Sequence, residues 1–257
     1  MDLRRLGRIP NRILREVRTR KALRNASQFN NVYQGGLLER LEFRSGITLN
    51  GPSETLRSTF QDLWLCSYYS APGYEIGSSD IVIDVGANIG AFAAYAVMKQ
   101  PRVRVYCYEP EPTNFMTLTR NIQANAIMSQ QVNALPFGVS GHSGYLELFV
   151  DKENPMFHSL VEVKNPDGSN RPGIKIKCVT LEEILQDTQL TKCDLLKLDC
   201  EAAEFGIIEH TSKETLSRFR RIIGEVHGKG TLLRDLLKAK EFRVDVWKPP
   251  HFAAQLA

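Results

Sequence analysis

Two groups of residues have the types and spacing to do chemistry. The first is a glycine loop with an acid on either side: Asp84, Gly86, Ala87, Asn88 and Gly90, then Glu109 and Pro110. Gly86 and Gly90 have no Cβ, so the backbone there can take positive φ and come close to a ligand. An acid at the end of the next strand, as Glu109 is placed, can accept hydrogen bonds from both hydroxyls of a ribose. The second group is Lys197, Asp199 and Glu201, followed by Glu225 and His227. On a strand the first three would share one face, as in a partly buried, charge-paired site. His227 is the first candidate for a base because imidazole titrates near neutral pH, with Glu225 to orient it. Asp199 or Glu201 is the second candidate.

The elements that must hold these residues are legible around the loop. Ile81, Val82, Ile83 and Val85 make a β-branched run suited to a strand buried on both faces. Ala91 to Met98 reads as a helix, and Val103 to Tyr108 as a second strand ending at Glu109. Strand, glycine loop, helix, strand and acid form the first half of a nucleotide-binding α/β fold. A dinucleotide loop wants G-x-G-x-x-G, but Asn88 takes the middle glycine's place. Asp84, just before the loop, would repel a diphosphate and suits an ammonium group or a bridging water. The ligand these residues predict is a nucleoside with a cationic amino-acid tail, S-adenosylmethionine.

DVGANIG, with YEP after the next strand, resembles the FkbM family of S-adenosylmethionine-dependent methyltransferases. LLKLDCEAAEF (195–205) is similar to the family's K-x-D-x-E-G-x-E block, CVTLEEIL (178–185) to the segment before it, and IIGEVHG (222–228) to its next strand. Ala202 stands where the family usually has glycine. The resemblance implies a Rossmann-like class I methyltransferase fold, α/β, with a mostly parallel central sheet flanked by helices. It also implies O-methylation of a hydroxyl on a natural product or sugar, a carboxylate on a peptide or polyketide being the alternative. A family tyrosine matches Tyr69 best, as a residue of the substrate cleft. The adenine wall is expected at Phe137, Gly138 and Val139, at the end of a third strand read as Asn133 to Ser140.

Residues 1–78 read as an N-terminal extension covering the cleft, and 79–257 as the S-adenosylmethionine-binding core. Residues 1–24 hold nine Lys or Arg and two acids, whereas the remainder carries 24 basic and 27 acidic residues. A mildly acidic globule gives no general support for a nucleic-acid substrate. Met1 to Asn25 has near-helical apolar spacing; packing on the domain or between subunits is the favoured reading, and contact with a membrane surface the sharper one. LLERLEF and ITL read as short strands around a turn, and Thr55 to Ser67 as a helix with a capping box at Ser53 and Glu54. His158 and Ser159, in a polar loop between two strand-like runs, are candidates for substrate contact. Thr180 and Glu183 have capping-box spacing. The five cysteines show no C-x-x-C pair, so a reducing cytoplasm is expected, without disulfides or zinc. No metal is expected, because no dense acidic cluster is visible along the chain. The closing strands leave open that this is one domain of a longer protein, and an oligomer is possible.

Two further readings compete. One is a non-catalytic module of the same fold that engages a partner or membrane through its basic N-terminus. The other is an NAD-dependent oxidoreductase, which Asn88 disfavours.

Overall fold

The structure is a computed structural model that describes residues 12–150, 160, 172–227, 230–248 and 250–257. Its centre is a seven-stranded sheet in the order β11-β12-β10-β9-β3-β4-β5. These strands are β3 (Ile81–Val85), β4 (Arg104–Tyr108), β5 (Val132–Leu135), β9 (Leu195–Leu198), β10 (Arg221–Glu225), β11 (Phe242–Lys248) and β12 (His251–Leu256). β10, β9, β3, β4 and β5 pair in parallel, while β12 runs antiparallel between β10 and β11. The apolar runs read from the sequence are the central strands: β9 is buried throughout, and β3 from Val82 to Val85. The order reverses between β3 and β9, so the carboxyl ends of β3, β4 and β9 open on a crevice.

Helices cover the sheet. They are α4 (Ala91–Lys99), α5 (Pro112–Gln123), α6 (Ala126–Gln131), α7 (Leu181–Asp187), α8 (Glu204–His210), α9 (Lys213–Leu216) and α10 (Gly230–Ala239). The capping box read at Thr180 is present: its side chain accepts from the Glu183 backbone, and Glu183 accepts from the backbone of Thr180. Residues 133–140 do not form one strand. β5 ends at Leu135, Pro136 intervenes, and β6 (Gly138–Val139) joins β7 (Gly144–Phe149) and β8 (Gly173–Val179) in a separate three-stranded sheet. Proline has no N–H to give a ladder, which explains the break. All five thiols are free, and four are buried.

The N-terminal segment contains α1 (Arg12–Ala22), α2 (Ala26–Val32), a hairpin of β1 (Arg40–Glu42) and β2 (Thr48–Asn50), and α3 (Ser53–Phe60). α3 starts without the capping box read at Ser53: Pro52 is the cap residue, with no side-chain cap bond. It continues as a single π-helical turn, Gln61–Leu65. α1 packs on that turn, where Arg18 donates to the Leu65 carbonyl at 2.6 Å. The buried side chains of this segment share one core with α4 and with β4, Leu41, Phe60 and Leu65 joining Ala93 and Val105.

Two asparagines, Asn121 in the last turn of α5 and Asn125 just before α6, lock the hairpin to that core. Asn121, fully buried, accepts from the Asn50 N–H at 2.9 Å and donates to the carbonyls of Asn50 and Ile89 at 3.0 and 2.9 Å. Asn125 makes the same two-way pairing with Thr48, both bonds at 2.8 Å. Each amide thus substitutes for a neighbouring strand. Asn121→Leu leaves backbone groups of Asn50 and Ile89 without partners, and we expect a loss of about 2–4 kcal/mol in urea unfolding.

Candidate functional site

A cavity of about 260 Å³ lies over the carboxyl ends of β3, β4 and β9. One end is built from Gly86, Ala87, Asn88, Glu109, Pro110, Gly138 and Val139. The other end has Asp62, Tyr69, Asp199, Glu201, Glu225 and His227. The fold therefore brings most of the sequence-predicted residues to one place. His158 and Ser159 lie outside the described residues.

The loop end is shaped by backbone. Gly86 has φ +76°, and a Cβ on it would sit 1.9 Å from the Asp199 carbonyl oxygen. This glycine is thus required by the neighbouring strand end as well as by any ligand. Gly90 is not at the cavity: its φ is +86°, and a Cβ would meet Leu118 at 2.6 Å, so it admits α5 against the start of α4. Asn88, at φ 48°, donates its N–H to Glu109 Oε2 at 2.8 Å. Glu109 Oε1 accepts from Glu111 N–H at 2.9 Å. The carboxylate is therefore fixed in the loop, each oxygen holding one backbone donor with further acceptor capacity. Burial pushes its pKa up to about 7, against the pull of those two donors.

Asp84 does not meet the cavity as the sequence suggested. It is fully buried and pairs with Lys197, whose ammonium is 3.1 Å from its carboxylate. The two are direct neighbours in register across β3 and β9. Lys197 also donates to the Gly86 carbonyl at 2.9 Å and lies 3.5 Å from Asp199. Burial alone would discharge Lys197, but Asp84 and Asp199 outweigh it and hold its pKa above the usual lysine range. The carboxylate that faces the cavity is Asp199, which accepts from the Tyr69 phenol at 2.8 Å. Burial would raise Asp199, yet Lys197 and Tyr69 bring it below the ordinary aspartate value.

Glu201 is not on the strand face expected of it. β9 ends at Leu198, and Glu201 and Ala202 both take positive φ, 52° and 80°. That turn carries Glu201 toward His227, whose Nε2 lies 3.6 Å from Glu201 and 3.7 Å from Glu225. The residue that orients His227 is Glu204, not Glu225: its Oε1 is 3.2 Å from Nδ1 and also accepts from Cys200 N–H at 2.9 Å. Glu204 is wholly buried. It was visible as the last acid of the 195–205 block, but no local pattern linked it to a histidine 23 residues away.

These surroundings change the acid–base reading. Burial works against a charge on His227, but Glu204 and Glu201 prevail and raise it to about 9. A histidine so surrounded keeps its proton to higher pH than a free imidazole, which counts against it as a base at neutral pH. Burial raises Glu201 to about 8, Glu225 to about 7, and Asp62, on the π-helical turn, to about 7. Asp62 went unread in the sequence because nothing local distinguishes it from a surface helical acid. The dense acidic group that looked absent along the chain is assembled by the fold.

Lys197→Met strands Asp84 as a buried, unpaired charge, and we expect urea unfolding to register a loss of about 3–5 kcal/mol. Adding Asp84→Leu removes that charge and should recover at least half of it. At Ala202 the left-handed backbone strains a Cβ, so Ala202→Gly should raise stability by about 0.5–1 kcal/mol, read as an increase in Tm.

Comparisons with known proteins identify the family. The family model for the Methyltransferase FkbM domain matches residues 84–244. Methyltransferase sdnD of Sordaria araneosa is 26% identical over 213 residues, covering 70% of this chain and 81% of that protein. The 31-O-demethyl-FK506 methyltransferase FkbM of Streptomyces tacrolimicus is 24% identical over 225 residues, covering 76% of this chain and 84% of that one. In structure, the methyltransferase FkbM from Methylobacillus flagellatus KT superposes with a TM-score of 0.50 at 15% identity, covering 90% of this chain and 59% of that one, a likeness of fold. With the family model spanning the glycine loop, Glu109, the Lys197–Glu204 block and His227, the chain belongs to the FkbM methyltransferase family.

Proposed function

We propose that the protein transfers a methyl group from S-adenosylmethionine to a hydroxyl of a small molecule, natural product, peptide or sugar. The observation that carries this reading is the placement of Glu109. It is a buried carboxylate at the end of β4, fixed by two backbone donors and bordering the same cavity as Gly86, Ala87 and Asn88. That donor set fits a ribose diol: two hydroxyls donate and a preorganised carboxylate accepts. Val139, Leu148 and Leu160 offer an apolar wall for a base. The bound cofactor supplies a methyl group activated on a sulfonium.

The chain's own part is to position the acceptor and to take its proton. Methyl transfer requires the attacking oxygen close to and in line with the methyl carbon. The π-helical turn places Asp62 in the cavity lining, near Asp199 and Glu225. Glu225 faces the same space. As the methyl's bond to sulfur is exchanged for one to oxygen, the acceptor's hydroxyl would lose its proton to one of these two carboxylates. Tyr69 fixes Asp199 and closes the cavity on the extension's side. A relative whose name specifies an O-linked position, the 31-O-demethyl-FK506 methyltransferase, supports oxygen as the target. A carboxylate acceptor would need no base and would face four acids, so these residues favour a neutral or cationic acceptor.

Calorimetry separates this reading from its rivals. S-adenosylhomocysteine should bind and NAD should not; binding of NAD alone would mark an oxidoreductase, and binding of neither a scaffold. Glu109→Gln turns an NH₂ toward one of two backbone donors and removes the charge, so affinity for S-adenosylhomocysteine should fall about 10- to 100-fold. Glu109 must be ionised to accept both hydroxyls, and burial sets its pKa at about 7. Protonation therefore competes with the ligand below that value. Affinity should be level above pH 8 and weaken by about tenfold between pH 8 and pH 6. Glu109→Gln should abolish the part of that slope due to this group.

A further inference from the structure

We propose that Asp199, Glu201 and His227 form a binding site for a divalent metal ion at the acceptor end of the cavity. One ligand atom from each lies within 4.8 Å of the others. The three side chains line the cavity, each about one-quarter exposed at 26%, 24% and 23%. They are near enough to water to admit an ion and buried enough to hold it. Ligand atoms around a six-coordinate ion with bonds of about 2.1 Å sit about 3 Å apart, so modest side-chain rotation closes the set.

The histidine is prepared for this role. Glu204 accepts from Nδ1, which turns Nε2 toward Glu201 and Glu225. A carboxylate on the far nitrogen is what orients metal-binding histidines generally. The carboxylates here outnumber the cations, the His227 imidazole being shared among Glu201, Glu204 and Glu225. Glu204 is fully buried, and its second oxygen, Oε2, has no hydrogen-bond partner among the described residues. Lys197 does not offset this excess, because its ammonium is taken up by Asp84, the Gly86 carbonyl and Asp199. Four carboxylates, Asp199, Glu201, Glu204 and Glu225, therefore surround one imidazole.

Two carboxylates and one imidazole suit an ion of Mn²⁺ character, with open positions for oxygen ligands. On the O-methyltransferase reading, those positions would take the acceptor's hydroxyl and lower its pKa. The metal site itself does not require that reading.

The test uses the full chain stripped with chelator and titrated with Mn²⁺, free ion being followed by electron paramagnetic resonance. One Mn²⁺ per chain should bind, saturating below about 1 mM. Pulsed spectra should show ¹⁴N coupling from an imidazole. Glu201→Gln should weaken binding at least tenfold, and His227→Gln should abolish the nitrogen coupling, each with an unchanged circular dichroism spectrum. Should His227→Gln fail to fold, the Glu201→Gln titration and the wild-type nitrogen signal decide alone. Absence of binding at 1 mM, binding that both variants retain, or a bound ion without nitrogen coupling overturns the proposal. S-adenosylhomocysteine is titrated into the same stripped protein. If it binds and Mn²⁺ does not, the metal site falls and the methyltransferase reading stands; the converse result spares the site and removes the reading of its purpose.

Discussion

The ammonium of Lys197 is the constraint on which the site depends. It is almost out of water, held by Asp84 at 3.1 Å, the Gly86 carbonyl at 2.9 Å and Asp199 at 3.5 Å. A buried ion pair is a poor source of net stability, since removing two charges from water cancels most of their attraction. What it provides is position. One cation ties the end of β3, the first peptide of the glycine loop and the end of β9. A Cβ at Gly86 would press into the Asp199 carbonyl, so the loop and the β9 end are fitted to each other by contact as well as by charge. Asp199, held ionised by Lys197, then faces the cavity as a fixed negative charge.

The half of the site set by local pattern was legible in the sequence. β-branched runs, a glycine loop and an acid after the next strand describe a βαβ unit almost without tertiary help. The capping box at Thr180 reads the same way, because both partners lie within four residues. Short elements were not legible. α6, α8 and α9 have six, seven and four residues, too few for a helical period to show. The split between β5 and β6 did have a signal, Pro136, outweighed by the apolar run around it.

The other half of the site depends on which strands become neighbours. Asp84 was placed at the ligand because it precedes the loop; only the β3–β9 register shows that Lys197 stands opposite and claims it. His227 was paired with Glu225 because the two share a strand end, whereas the buried acid that holds it comes from the start of α8. Asp62 and Tyr69 come from the extension, which is held on the domain by a shared core and by the pairing of Asn121 and Asn125 with its hairpin. Each of these pairings is long-range, and side-chain spacing carries no trace of it.

The two ends of the cavity answer to different elements, and this separates what is fixed from what can vary. The loop end is determined by backbone: Gly86, Asn88 and Glu109 hold one another through N–H donors and close approach, so few side-chain changes could move it. The acidic end is determined by side chains from four places, namely the π-helical turn, the turn after β9, the start of α8 and the end of β10. A π-helical turn is costly in an isolated helix and tends to persist where it aims a side chain. Here it carries Asp62 while its apolar neighbours Leu63 and Leu65 stay in the core. A substitution in that turn can change what the cavity accepts while the core contacts that fix the turn remain. On the proposed reading, the acceptor end draws on a segment outside the central sheet as well as on strand ends, and the nucleoside end on the loop after β3 and the end of β4.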